Sequence, residues 1–409
     1  MFDLSQFINS YVTKRPNSMF SQDIERNKER LYDLICGKSF LVIGGAGSIG
    51  SSFVRAVLPF KPSELVVVDT NENALTELTR SLRSDSILSK CVPDKYLSYP
   101  MDYSSIAFKR MFSHHKRSNN LIGFDIVANF SAHKHVRSEK DIYSIEALLR
   151  NNVINAKSFL DLLETYPPET YFCVSTDKAA NPVNVMGASK RIMEDLIFSY
   201  SSSFSVKTAR FANVAFSNGS LPAGFLERIN RKQPISAPSD VKRYFVSPEE
   251  SGQICMLAAI LGENRNIFFP KLDEAQMTSF DKIAEDLLSV MGYKIEYCNS
   301  DAEAIEKASC WHDNQPYPVH FSVSDTSGEK AYEEFYVDGE ELDTESFGSL
   351  GIIVDKPIPD RSKVSELINS LSDEFESDTC SKEEIVRLIS DYLPSFKHIE
   401  TQKSLDEKM

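Results

Sequence analysis

The chain has 409 residues, 42% hydrophobic and 25% charged, a composition that fits a folded globular protein of one large or two ordinary domains. With 45 Lys+Arg against 59 Asp+Glu the formal net charge is −14, which argues against a nucleic-acid or anionic-membrane surface and leaves room for a local basic pocket. Seven scattered cysteines without a C-x-x-C argue against a disulfide frame or zinc cluster and for reduced thiols in a cytoplasm; no apolar run approaches the ~20 residues that span a bilayer, and the first residues lack the apolar stretch of a signal peptide.

Residues 1–20 carry no readable pattern. Ser21 or Asp23 can cap a helix that runs to about Ile35, with Gly37 as its stop. Residues 1–37 therefore read as an N-terminal helical arm, either packed on the main domain or serving as an oligomer contact. Next comes SFLVI at 39–43, a short β-branched run, then GGAGSIG at 44–50, then the helical pattern SSFVRAVL. Strand, glycine loop and helix in that order are the context of a dinucleotide fingerprint. Gly44, Gly47 and Gly50 allow a tight turn and close backbone approach, and Ser48 and Ile49 open the helix whose free N–H groups favour a pyrophosphate. A glycine turn that only packs helix on strand is the plainer alternative.

ELVVVD at 64–69 is a second strand ending on Asp69, about 20 residues beyond the loop, where an acid can accept from ribose hydroxyls and repel a 2′-phosphate. That favours NAD over NADP; Asp69 can also simply cap the helix at 72–84. KYLSYPMD at 95–102 is a third strand, with Asp102 placed to meet the adenine, and residues 106–116 follow as a helix. FDIVANFSA at 124–132 is a fourth strand. His133 and His135 after it flank a lysine and lack a nearby third ligand, so no metal site is read there. His114-His115 reads as a solvated helix end. A helix at 141–164 precedes the strand YFCVST at 171–176, and a long helix from Met186 precedes the strand at 205–214. This alternation implies an α/β, Rossmann-type doubly wound parallel sheet, with ligands at the C-terminal strand ends.

One such strand end carries Thr176, Asp177 and Lys178, and Met186 and Lys190, four residues apart, share a face of the next helix. A hydroxyl, an acid and a base beside a helical lysine have the make-up of a reaction centre; a surface ion pair ending a strand is the plainer reading of Asp177-Lys178. Beyond residue 214 the alternation becomes irregular. Residues 38–213 then form an NAD-binding domain, 214–360 a smaller α+β substrate lobe in which 320–337 folds over the site or a dimer edge, and 361–409 an acidic C-terminal helical appendage.

GGAGSIG, SAHKHV, NNV, STDKAANPVNVMGASKR, and RFANVAFSNGS followed by KRYFVSPEE resemble the extended short-chain dehydrogenase/reductase superfamily over about residues 38–290. Within it they are similar to nucleotide-sugar 4,6-dehydratases acting on UDP-N-acetylglucosamine, of the capsular-polysaccharide and flagellin-glycosylation group. Most of the superfamily has Tyr-x-x-x-Lys; here Met186 takes the tyrosine position and Lys190 is kept, as in large membrane-anchored dehydratases of the group. The resemblance implies a soluble member of that methionine class, which by analogy retains C5 configuration. It implies bacterial surface-glycan or nonulosonic-acid synthesis by oxidation at C4, loss of water across C5–C6 and return of the hydrogen to C6. It implies Asp177 as acid for the C6 hydroxyl and Lys178 as base at C5. Thr176 handles the C4 proton, Lys190 binds the nicotinamide ribose, and Met186 forms an apolar floor. Lys134, Asn213 and Arg243 meet the UDP-sugar substrate, and Arg210 supports a strand end. A homodimer or higher oligomer is expected, paired through the helices at 141–164 and 185–203. An epimerase or 4-reductase of the same fold, and a non-catalytic NAD-binding scaffold, are the competing readings.

Overall fold

The computed structural model describes residues 2–115, 123–324 and 333–399. Its centre is a nine-stranded sheet. Across it the strands run Glu341–Asp343, Leu350–Val354, Ile267–Pro270, Ser205–Phe211, Thr170–Thr176, Ile126–Asn129, Ser39–Ile43, Glu64–Asp69 and Lys95–Pro100. From Lys95–Pro100 to Ile267–Pro270 every pairing is parallel. The inner strands are apolar on both faces because helices cover both, so Ser39–Ile43 is buried at every position. The winding reverses between Ser39–Ile43 and Ile126–Asn129, and that reversal opens the crevice where this architecture takes its ligands. The expected doubly wound parallel sheet is the one that forms.

The boundary at 214 does not divide the fold as the sequence suggested. Ile267–Pro270 joins the parallel sheet, and Leu350–Val354 and Glu341–Asp343 add an antiparallel edge to it. Ile267–Pro270 and Leu350–Val354 are short and nearly wholly buried, so they give no alternating pattern to read, and Glu341–Asp343 is a partly exposed edge of three residues. The Pro248–Leu261 helix also belongs to the main body. It crosses the Ser48–Val57 helix so closely that a Cβ on Gly252 would lie 2.2 Å from the Ser52 carbonyl oxygen. What remains is a small lobe: a parallel three-stranded sheet of Ile235–Pro238, Tyr317–Ser322 and Ile295–Tyr297 with the helices Leu221–Asn230 and Phe280–Val290. Residues 325–332 and 400–409, within segments assigned above, lie outside the described residues.

The N-terminal arm is packed on the body. Arg15 donates to both oxygens of Glu250 at 2.9 and 2.7 Å, and Asp23 accepts from the Gly348 and Ser349 amides at 2.7 and 2.8 Å. At the other end, the helices Arg361–Glu376 and Lys382–Tyr392 bury Val364, Leu367, Ile368, Leu371, Ile385 and Ile389 in the core that holds Ile145, Leu148 and Leu196. Arg361 grips both oxygens of Glu164 at 2.7 Å and lies 3.9 Å over the Tyr200 ring. The helical face expected to pair two subunits is thus covered by the chain's own terminal helices. His115 also departs from its reading as solvated: its ring stacks 3.7 Å from Phe124. Among the described residues no helix is long and apolar enough to cross a membrane.

Candidate active site

The glycine loop is shaped by atoms that leave no room for side chains. Gly44 has φ +67°, a region open mainly to glycine, and an added Cβ would lie 2.7 Å from the Ser131 nitrogen. A Cβ on Gly50 would lie 2.3 Å from the Gly44 carbonyl oxygen, and one on Gly47 3.3 Å from it. The Ser48–Val57 helix begins at Gly47 without a side-chain cap, so its first N–H groups face the crevice free of one. The Ser48 hydroxyl accepts from the Asn218 amide at 2.9 Å, which brings the small lobe against the loop, and Ile49 lies beside it at the helix start. Asp69 accepts from the Ala46 amide at 3.0 Å and the Asn71 amide at 2.9 Å. It therefore braces the glycine loop, while Asn71 is the residue that caps the next helix. Each Asp69 oxygen keeps a lone pair for a ribose hydroxyl. Asp102 is exposed and occupied in part by Ser104, whose amide and hydroxyl donate to it at 2.7 and 2.8 Å. These residues fit a dinucleotide whose pyrophosphate lies on the loop. Gly50→Ala is expected to weaken dinucleotide binding by at least about tenfold, since the clash is with backbone that cannot swing away; calorimetric titration of NAD and of NADP against the parent checks it, and unchanged affinity would remove the loop from the site.

At the end of the Thr170–Thr176 strand the backbone enters a single 3-10 turn, Asp177–Ala179. The Thr176 hydroxyl donates to Asp177 Oδ1 at 2.6 Å, and Lys178 Nζ pairs with Asp177 at 3.2 and 3.1 Å. Asp177 is buried, whereas the Lys178 side chain is 25% exposed. The Val185–Phe198 helix starts at Asn184, which accepts from the Gly187 amide at 2.8 Å. Gly187 lets this helix approach: a Cβ there would lie 2.7 Å from the Lys178 carbonyl oxygen. Met186 is 3% exposed and sits in the apolar core. One turn on, Lys190 is buried and donates to the Val174 carbonyl at 3.0 Å; burial holds its pKa below the ordinary lysine value. The NNV motif forms a π-helical turn, Arg150–Ile154, of the kind found at functional sites. There Asn152 bonds the His133 amide and carbonyl at 2.9 Å and the Ser189 hydroxyl at 3.1 Å, tying the loop after the fourth strand to the helix of Lys190.

The short strand of Asn213 pairs with Phe245–Val246, Arg243 pairs with Thr278 just before it, and the Asn213 amide donates to the intervening Tyr244 carbonyl at 3.2 Å. Lys134 reaches the same lobe, donating to the Ser217 hydroxyl at 3.4 Å. What sequence reasoning missed is Glu333, which gathers these groups. It accepts from the Asn213 side chain at 2.6 Å and the Tyr244 amide at 2.9 Å, and its carboxylate lies 3.7 Å from Arg243 Nε. Burial, then the charge of Asp177, pushes the Glu333 carboxyl up to about 7, so it lies within the field of the Thr176–Lys178 strand end. Its only sequence signal is an acid within the apolar-flanked run EEF. A pKa raised in the folded chain means stability that is present below the ordinary value of 4.5 and is lost as pH rises through 7. Relative to the parent, Glu333→Gln should therefore gain melting temperature at pH 8 compared with pH 5; an equal difference at both values would contradict this. Among the described residues no group of His, Cys, Asp and Glu is arranged to hold a metal ion.

Known proteins are similar to this chain in sequence and fold. The capsular polysaccharide biosynthesis protein CapD of Staphylococcus aureus is 29% identical over 64% of this chain, a span that is 42% of CapD's own length. The UDP-N-acetylglucosamine 4,6-dehydratase (inverting) of Campylobacter jejuni (serotype O:23/36) is 24% identical over 63% of this chain and 73% of its own. A UDP-glucose 4-epimerase of Rickettsia canadensis is similarly distant, at 25% over 61% and 71%. Among solved structures, Pen from Bacillus thuringiensis superposes with a TM-score of 0.61 at 20% identity, over 83% of this chain and 98% of that one, which confirms the fold. The model of the family described as polysaccharide biosynthesis protein matches residues 40–354, well over half of the chain, and the chain belongs to that family.

Proposed function

We propose that the protein is a nucleotide-sugar 4,6-dehydratase that converts UDP-N-acetylglucosamine to the UDP-linked 4-keto-6-deoxy sugar, with NAD as resident cofactor, for surface-glycan or nonulosonic-acid synthesis. The observation that carries this reading is the Thr176–Asp177–Lys178 cluster beside Lys190, with Met186 where a tyrosine hydroxyl would stand. Bound at the 44–50 loop, NAD supplies an acceptor for the C4 hydrogen and gives that hydrogen back at C6. The chain's own residues must then handle protons. Thr176 takes the C4 hydroxyl proton and passes it along its 2.6 Å hydrogen bond to Asp177, which becomes a carboxylic acid. Lys178, open to solvent on one side, releases its proton to water and becomes an amine. The amine removes the C5 proton, now acidified by the C4 ketone. Asp177 protonates the departing C6 hydroxyl, and water leaves. Lys178 then returns a proton to C5. Such groups typically contribute 10²–10⁴-fold each.

Lys190 uses one donor on the Val174 carbonyl and a second on Met193 Sδ at 3.8 Å, and keeps one for the cofactor ribose. Asn213, Arg243 and Lys134 suit the diphosphate and sugar, the planar guanidinium of Arg243 being matched to phosphate. All seven cysteines are free thiols, which supports a cytoplasmic setting. An epimerase or reductase needs no acid–base pair for loss of the C6 hydroxyl, so Met186 beside the paired Asp177 and Lys178 argues against those readings. Incubation of the purified protein with UDP-N-acetylglucosamine, without added cofactor, is expected to yield a product lighter by one water. A product of equal mass would point to an epimerase, and sugar recovered unchanged under saturating NAD would contradict the proposal.

A further inference from the structure

The turn that carries the catalytic pair into the helix of Met186 and Lys190, residues 177–184, is held from outside by the end of the chain. The Ile399 amide donates to the Val183 carbonyl at 3.0 Å and the Lys397 amide to the Pro182 carbonyl at 3.4 Å. Between them, His398 Nε2 bonds Glu139 Oε1, and the other oxygen of Glu139 accepts from the Val185 amide at 3.0 Å, at the first residue of the helix. Lys382 donates to the Glu139 carbonyl at 3.1 Å, so the same carboxylate residue is anchored from a second point of the appendage. Phe396, buried, roots this strand of contacts in the main core. Within the turn, the Ala180 amide donates to the Asp177 carbonyl at 3.2 Å, Gly187 keeps the Lys178 carbonyl close to the helix, and Asn181 reaches Glu334 at 3.0 Å.

We propose that residues 396–399 form a latch on the active site, with His398 a positioning residue that acts through Glu139 on the start of the Val185–Phe198 helix, and that the C-terminal appendage therefore serves catalysis. The inference rests on the reading of Asp177 and Lys178 as the acid and base. A proton-transfer pair must keep its geometry closely, and a displacement of about 1 Å can cost on the order of 100-fold in rate. Two backbone bonds and one side-chain bridge converge on the turn where that displacement would occur.

The test uses three full-length variants and hydrogen–deuterium exchange of the backbone. His398→Ala removes the bridge, Ile399→Pro removes the amide that Val183 accepts from, and His398→Gln restores a donor for Glu139. Exchange across 178–188 should rise about tenfold or more in His398→Ala and Ile399→Pro and stay near the parent rate in His398→Gln, while the Ser39–Ile43 strand is unchanged. On UDP-N-acetylglucosamine, kcat should fall about 10- to 100-fold with KM within about threefold. Parent-like exchange at 178–188 in both disrupting variants would overturn the latch, as would an equal rise in the Ser39–Ile43 strand, which reports general loosening. If the parent protein turns over no nucleotide sugar and the local exchange still rises, the latch stands and the dehydratase reading falls.

Discussion

Replacing Asp177 with asparagine is expected to lower turnover of UDP-N-acetylglucosamine by about 10²–10⁴-fold while NAD binding stays within about twofold of the parent. Asparagine is nearly the same size and still accepts from the Thr176 hydroxyl, so the 2.6 Å contact has a replacement. What it cannot do is take the C4 proton and give one to the C6 hydroxyl. It also leaves Lys178 without the carboxylate it pairs with at 3.1 Å. The glycine loop, which holds the cofactor, lies at another strand end and shares no hydrogen bond with Asp177. Steady-state kinetics with a parallel NAD titration separates the two effects. Near-parental turnover would remove Asp177 from the mechanism.

The largest loss of stability is expected from Glu194→Ala, about 3–5 kcal/mol, with little folded protein at moderate temperature. Glu194 is 1% exposed and accepts from Arg210 at 2.8 and 2.6 Å and from the Ser175 hydroxyl at 2.6 Å. Arg210 is wholly buried and, among the described residues, otherwise reaches the Phe335 carbonyl at 2.9 Å and Glu340 at 3.4 Å. Alanine would strand most of a guanidinium charge inside the protein and orphan Ser175 beside Thr176. Removing both charges together, as Glu194→Met with Arg210→Met, should cost much less than the single change, because neither charge is left alone. Denaturant unfolding of the single and double variants measures this. A single variant as stable as the parent would mean that the pair is not what holds this strand end.

Where an arrangement depends on neighbours in the chain, it was legible in the sequence. Gly44, Gly47 and Gly50 exclude side chains through contacts within their own loop and the next strand end, and a strand–loop–helix pattern surrounds them. Thr176, Asp177 and Lys178 are consecutive, and Met186 and Lys190 follow helical spacing. Arg210 was read as a support for its strand end, and its pairing with Glu194 is such a support. Where contacts span more than a hundred residues, local pattern was silent. Glu333 lies in the 320–337 stretch expected to fold over the site or a dimer edge, but nothing in that stretch marked Glu333 as the acid that meets Asn213. Leu350–Val354 is a short apolar run with no alternation, and only its antiparallel pairing to Ile267–Pro270 makes it a strand of the main sheet. The helices of 361–396 are visibly amphipathic, but nothing in their spacing says that the face they cover is the one expected to meet a second subunit. His115 looked solvated because its partner Phe124 comes from the next strand segment.

The most direct test of the proposed chemistry is to run the reaction on UDP-N-acetylglucosamine in deuterated water and follow the product by NMR and mass. The expected product has lost one water, carries one solvent deuterium at C5 with its configuration retained, and has a C6 methyl group that received the original C4 hydrogen. A product of unchanged mass, or a dehydrated one without deuterium at C5, would contradict proton transfer at C5 by Lys178 and with it the assignment of the Thr176–Asp177–Lys178 cluster.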